Sequence, residues 1–130
     1  MSETKQLLFT REHVWITKED KGSRIRFGVS DYALRKIGEL SYVEMPMLGS
    51  FIAGGETLVT LESAKSASDV SAPFDCKVAL CNTLLETKPE TLNDDPYGEG
   101  WILELERQSA DLPDSLMSAD EYAAFTGTLE

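Results

Sequence analysis

The sequence predicts a mainly β fold, a small sandwich or barrel with short helices at its ends. Three observations predict it. Apolar and polar residues alternate with period two in short runs such as Arg24-Ile25-Arg26-Phe27. Gly, Pro, Asn and Asp punctuate those runs at close intervals, as the turns of a strand-rich domain do. An apolar stripe at helical spacing occurs near the end of the chain.

Taken in order, Leu7-Leu8-Phe9 is the first strand candidate and leads to His13-Val14-Trp15-Ile16-Thr17. Lys18 to Ser23 is a charged turn ending in Gly22-Ser23, a hairpin signal before the strand Arg24 to Val29. Ser30 or Asp31 caps a short helix through Tyr32, Ala33, Leu34 and Ile37, which Gly38 ends. Tyr42 to Met45 is a strand stopped by Pro46, and Phe51-Ile52 sits between two glycine turns. Glu56 to Leu61 and Asp69 to Pro73 form a strand pair. Cys76 to Cys81 is the next strand; strict alternation puts Cys76, Val78 and Leu80 on one face and Cys81 on the other. Asn82 to Leu92 reads as a short helix broken at Pro89, and Asn93 to Gly100 as a turn-rich loop. Trp101 to Glu106 is the last strand. Asp114-Ser115 after Pro113 is a plausible cap for a C-terminal helix carrying Leu116, Ala119, Tyr122, Ala123 and Phe125.

The length of 130 residues suits one domain, 1–130, with its core at about residues 7–126. The formal net charge of −11 disfavours nucleic acid, whose recognition needs clustered cations, and favours partners with basic patches. No apolar run reaches the roughly 20 residues of a membrane span, and the polar start Met1 to Gln6 is unlike a secretory signal. A cytoplasmic monomer is expected, with a processed organellar form as the alternative. Cys76 and Cys81 lack a second pair or a nearby histidine, so zinc is not expected, and both should be free thiols. His13 reads as a structural histidine, and Asp94-Asp95 as loop capping rather than a calcium loop. There is no nucleophile–base pair, metal cluster or phosphate loop that would suggest an independent catalyst.

The most informative residue is Lys65, in Leu61-Glu62-Ser63-Ala64-Lys65-Ser66-Ala67-Ser68-Asp69. Only small and polar residues flank it, and strands lie on both sides. A lysine offered on such a turn is a good anchor for a covalent arm: acylation removes the charge of an amine whose pKa is about 10.4. A group on a short flexible tether reaches a docked partner at an effective concentration on the order of millimolar.

The segment resembles the lipoylation site of the glycine cleavage H-protein family, usually Glu-Ser-Val-Lys-Ala-Ala-Ser-Asp, with Ala64 and Ser66 as the differences. Other blocks are similar in family order: Phe9-Thr10-Arg11-Glu12-His13-Val14-Trp15, Gly28-Val29-Ser30-Asp31-Tyr32-Ala33, Gly38 to Pro46, Asp94 to Trp101, and Leu116 to Tyr122. The resemblance implies a barrel-sandwich hybrid of the lipoyl/biotinyl-carrier type: two small antiparallel sheets, short helices and a C-terminal helix. It implies lipoate in amide linkage to Lys65, attached by a lipoate ligase or an octanoyl/lipoyl transferase, with Glu62 and Asp69 flanking the site. It implies a non-catalytic carrier that takes an aminomethyl group from the pyridoxal-phosphate-dependent glycine decarboxylase to an aminomethyltransferase. Dihydrolipoamide dehydrogenase then reoxidises the arm.

Departures leave other readings open. Val14 stands where the family usually has a glutamate near the cleft that shelters the loaded arm; Glu12, two residues away on the same strand face by period two, is the expected substitute. Cys76 stands where the family commonly has glycine, which would strain a turn with positive φ. An H-like lipoyl relay outside glycine cleavage is the alternative, as is an unmodified binding module on the same scaffold. A biotinyl carrier usually has methionines beside its lysine, and Ala64 and Ser66 argue against it.

Overall fold

The computed structural model describes residues 7–17, 24–107 and 116–129. Strand β1 (Leu7–Phe9) pairs antiparallel with β2 (Val14–Thr17), with Phe9 opposite Trp15. The turn between them is held by Thr10, whose Oγ1 accepts from the backbone N–H groups of Glu12 and Val14. His13 takes φ 71°, and no other described non-glycine residue has positive φ. Strand β3 (Arg24–Val29) pairs antiparallel with β2, as a hairpin requires; the charged turn at Lys18 to Ser23 lies outside the described residues. Arg24 and Arg26 face outward against Glu106 and Glu104 of the last strand, and Ile25 and Phe27 face the core.

Helix α1 (Asp31–Ile37) is capped by Ser30, whose Oγ accepts from Ala33 N–H, and ends at Gly38 with φ 94°. Strands β4 (Leu40–Glu44), β5 (Phe51–Ile52), β6 (Thr57–Ser63), β7 (Ala67–Ser71) and β8 (Cys76–Cys81) follow. Short helices α2 (Leu84–Thr87) and α3 (Thr91–Asp94) flank Pro89, then come β9 (Leu103–Arg107) and α4 (Ala119–Gly127). One sheet runs β1-β2-β3-β9-β8-β5 and the other β4-β6-β7, every neighbour antiparallel. The fold is therefore the expected mainly β arrangement of two antiparallel sheets, short helices and a C-terminal helix.

Apolar residues of both sheets meet between them, including Phe27, Val43, Leu61, Val70, Val78 and Leu105. Burying such side chains contributes about 1.5–3 kcal/mol each. The other face of the larger sheet carries a second cluster, Phe9, Trp15 and Tyr122, where α4 packs. Gly28 lies opposite Trp15 in the β2–β3 ladder, and the indole covers it.

Two elements differ from the sequence reading. A bulge between Val78 and Leu80 inserts one extra residue, so the alternation reverses within β8. Cys81 then sits opposite Leu103 and packs against the same core as Cys76, while Leu80 is exposed. The cysteines do not point to opposite faces; both are free thiols. The C-terminal helix is capped by Ser118, not by the Asp114-Ser115 pair, which lies outside the described residues. Ser118 Oγ accepts from Glu121 N–H and the Glu121 carboxylate accepts from Ser118 N–H, a full capping box. Of the expected apolar stripe, Tyr122 is buried and Phe125 is partly buried, whereas Ala119 and Ala123 are exposed and Leu116 precedes the helix.

Candidate functional site

Strands β6 and β7 form a hairpin whose last paired row is Glu62 opposite Ala67. Beyond it Ser63 N–H donates to Ser66 C=O at 2.9 Å, which leaves Ala64 and Lys65 as a two-residue loop. Ala64, Lys65, Ser66 and Ala67 are all exposed. Neither loop residue has positive φ, so the turn needs no glycine. Ser63 fixes it instead: its Oγ accepts from Lys65 N–H at 3.4 Å and from Ser66 N–H at 3.3 Å. Sequence reasoning gives Ser63 only the role of a small neighbour. The signal that finds it is a serine two residues before the lysine, placed to accept from backbone N–H groups.

Glu62 is half-buried on β6, between Tyr42 of β4 and Ala67 of β7. Asp69 lies two cross-strand rows further from the loop, opposite Thr60, and its Oδ1 accepts from Thr60 Oγ1 at 2.9 Å. The carboxylate braces the hairpin rather than the loop itself. Glu62 and Asp69 thus share the hairpin with Lys65, whose backbone N–H donates to Ser63 Oγ.

The remaining candidates lie elsewhere. Val14 opens β2 and is buried in the main core, whereas Glu12 is exposed in the preceding turn. The two do not share a strand face, because the tight turn at Glu12 and His13 ends the period-two geometry before β2 begins. Cys76 is fully buried within β8 without positive φ, so cysteine is unstrained there. Burial, with the negative charge of Asp75, pushes its thiol pKa up to about 11. Burial also raises Cys81, with Glu86 adding to the effect. Neither is a ready nucleophile at neutral pH.

His13 Nδ1 lies 2.7 Å from Tyr122 Oη, which in turn lies 2.7 Å from Ser30 Oγ. This buried chain joins the β1–β2 turn, α4 and the cap of α1, so His13 is the structural group expected. A groove of about 640 Å³ opens beside it, lined by Phe9, Tyr32, Tyr97 and Tyr122 among others, and includes no residue of the Lys65 loop. Asp95 caps its own loop, accepting from Glu99 N–H at 3.0 Å. Among the described residues no helix is long and apolar enough to cross a membrane.

Comparison with known proteins agrees with this geometry. Residues 7–128 match the family model described as Glycine cleavage H-protein. A glycine cleavage system H protein from Coprothermobacter proteolyticus is 44% identical over 121 residues, covering 93% of this chain and 94% of the relative. One from Xylella fastidiosa is 45% identical over 116 residues, covering 89% and 88% respectively. The crystal structure of a glycine cleavage system H protein from Mycobacterium marinum superposes with a TM-score of 0.85 at 29% identity, covering 96% of this chain and 99% of the other. The chain belongs to the glycine cleavage H-protein family.

Proposed function

We propose that this chain, a single carrier domain over residues 1–130, is the lipoyl carrier of a glycine cleavage system and holds lipoate in amide linkage on Lys65. One observation carries the reading: in a chain of this family, Lys65 stands exposed on a two-residue loop at the tip of a hairpin. The residues fit the group. Ala64, Ser66 and Ala67 leave the lysine open to an acylating active site, and Ser63 holds the loop without a bulky side chain.

Bound there, lipoate supplies a disulfide that takes up the aminomethyl carbon of glycine and is afterwards reoxidised. The chain's own part is presentation. The β6–β7 ladder supports the loop, Asp69 braces the hairpin through Thr60, and Glu62 sets a carboxylate one residue behind Ser63. Cargo arrives from the pyridoxal-phosphate-dependent glycine decarboxylase and leaves to the aminomethyltransferase, with dihydrolipoamide dehydrogenase restoring the disulfide. A lipoate ligase or an octanoyl/lipoyl transferase attaches the group. The carrier is non-catalytic, monomeric and cytoplasmic in this reading.

Intact mass and peptide mapping on protein from its own cell test it. One lipoyl increment on the peptide containing Lys65, absent from a Lys65→Arg variant, is the expected result. An unmodified Lys65 in a cell whose other lipoyl proteins are loaded would overturn the reading.

A further inference from the structure

The outer face of the three-stranded sheet carries an exposed aromatic residue, Tyr42. Strand β4 has a bulge between Leu40 and Tyr42: Leu40 pairs with Ser63 and Tyr42 with Glu62, so Ser41 is the extra residue. Ser41 Oγ donates to Glu62 C=O at 3.2 Å and ties the bulge to the hairpin. Bulges re-aim side chains, and they are over-represented beside functional sites. Here Ser41 and Tyr42 are both exposed, while Leu40 and Val43 enter the core.

Tyr42 therefore stands in one row with Glu62 and Ala67, the last paired row before the Lys65 loop. It is 50% exposed, a large ring left in water where a small polar residue would satisfy the strand. Two rows on, and on the same face, stand Glu44, Thr60 and Asp69. Among the described residues, no cation of this chain pairs with Glu44, Glu62 or Asp69. An aromatic face beside an unneutralised carboxylate suits a guanidinium or ammonium from outside, through cation–π attraction and a charged hydrogen bond.

We propose that Tyr42 anchors the enzyme that acylates Lys65, by receiving a basic side chain of that enzyme against its ring and Glu62. The inference rests on Lys65 being acylated as proposed above. In that reaction Lys65 Nζ attacks the acyl carbonyl of a lipoyl adenylate, the amide forms, AMP departs with the bonding pair, and Nζ gives up a proton. Tyr42 touches none of the reacting atoms; it sets how often the loop is correctly presented, so its loss belongs in KM.

The test is steady-state acylation of the full apo chain by a purified lipoate ligase with lipoate and ATP. Tyr42→Ala should raise KM for the chain about tenfold with kcat within about twofold, the scale of one anchor residue. Tyr42→Phe keeps the ring and should stay within about twofold of wild type in KM. Tyr42→Lys, exposed and easily tolerated, should raise KM further by repelling the basic group, which keeps the question open to measurement if the alanine variant folds poorly. An unchanged KM in Tyr42→Ala and Tyr42→Lys, or a loss confined to kcat, would overturn the anchor. If wild type itself stays unmodified while the same ligase loads another lipoyl protein, the carrier reading fails and the anchor with it, a result separate from the first.

Discussion

The Lys65 loop and the aromatic seat of the C-terminal helix are opposites in construction. The seat gathers Phe9, Trp15 and Tyr122 at 5% exposure or less, stacks Phe9 on Tyr122 at 4.4 Å, and links His13, Tyr122 and Ser30 in one hydrogen-bonded chain. The loop has two exposed residues, and its backbone N–H groups donate at 3.3 and 3.4 Å to the Oγ of a single serine. The seat is the more densely packed and hydrogen-bonded of the two. A carrier needs its working residue to be reachable by several enzymes, and each contact to the body would have to be broken at each visit. The lysine is therefore supported through backbone pairing, and the dense packing lies away from it.

Substitutions at the seat should lower stability and leave acylation alone, in descending order of effect. Gly28→Ala is the most severe. A Cβ there would lie 2.5 Å from Nε1 and Cζ2 of Trp15, and the indole is fully buried with Nε1–H donating to Pro96 C=O at 3.1 Å. Overpacking of this kind should cost about 3 kcal/mol and lower the melting temperature by roughly 10 °C. A melting temperature equal to wild type would mean that the seat yields more easily than its packing implies. Tyr122→Phe removes the hydroxyl shared by His13 and Ser30 and keeps the ring, so about 1–2 kcal/mol should be lost in denaturant unfolding.

The loop should behave the other way. Ser63→Ala deletes the acceptor for Lys65 and Ser66 N–H but keeps the ladder bond from Ser63 N–H to Ser66 C=O. Global stability should move by no more than about 0.5 kcal/mol, since the three side-chain bonds lost, including that from Ser63 Oγ to Ser66 C=O at 3.5 Å, are long and exposed. Hydrogen exchange at the Lys65 and Ser66 amides should accelerate while exchange at Tyr122 stays the same. Equal acceleration at both places would erase the contrast between the two regions.

What sequence reasoning reaches here depends on whether a feature is local. The alternation of Arg24 to Phe27, the Ser30 cap with its Gly38 stop, and the strand pair around Lys65 each arise from neighbours in the chain, and the structure has all three. The resemblance in ordered blocks reaches the family for the same reason, since those motifs are contiguous. What was hidden depends on register between distant strands. The extra residue in β8 that turns Cys81 inward is defined against β9, and the bulge that turns Tyr42 outward is defined against β6. The Ser118 and Glu121 capping box was legible in principle as a serine followed three residues later by glutamate, but Asp114-Ser115 after a proline offers cap residues slightly earlier, without a glutamate three residues on. The turn that isolates Glu12 from Val14 was not legible, because it rests on His13 taking φ 71°, unusual for a residue with a side chain.

His13 gives the smallest expected effect and the finest separation of the two regions. Its imidazole lies between Tyr32, Tyr122 and Phe125, with Nδ1 on the Tyr122 hydroxyl; Arg11 sits over the Phe125 ring and Glu12 is the neighbouring acid. Burial lowers the pKa below its ordinary 6.5, and the negative charge of Glu12 opposes that only in part. In the window between the lowered value and 6.5 the unfolded chain therefore binds more protons at this residue than the folded chain does. Stability then rises with pH through the window and falls on acidification, reaching its full value above the unfolded pKa. Carboxylates titrate nearby in pH, so the readout is a difference: the change in melting temperature from pH 7.5 to 5.5 in wild type minus that in His13→Asn, whose side chain does not titrate and tolerates positive φ. Wild type should lose slightly more on acidification than the variant, and the Tyr122 amide should lose protection while the Lys65 amide does not. Equal losses would mean that His13 sits in the seat without feeling its burial. A loss of protection at Lys65 would mean that the seat and the loop are one cooperative unit, and the division of labour between them would have to be given up.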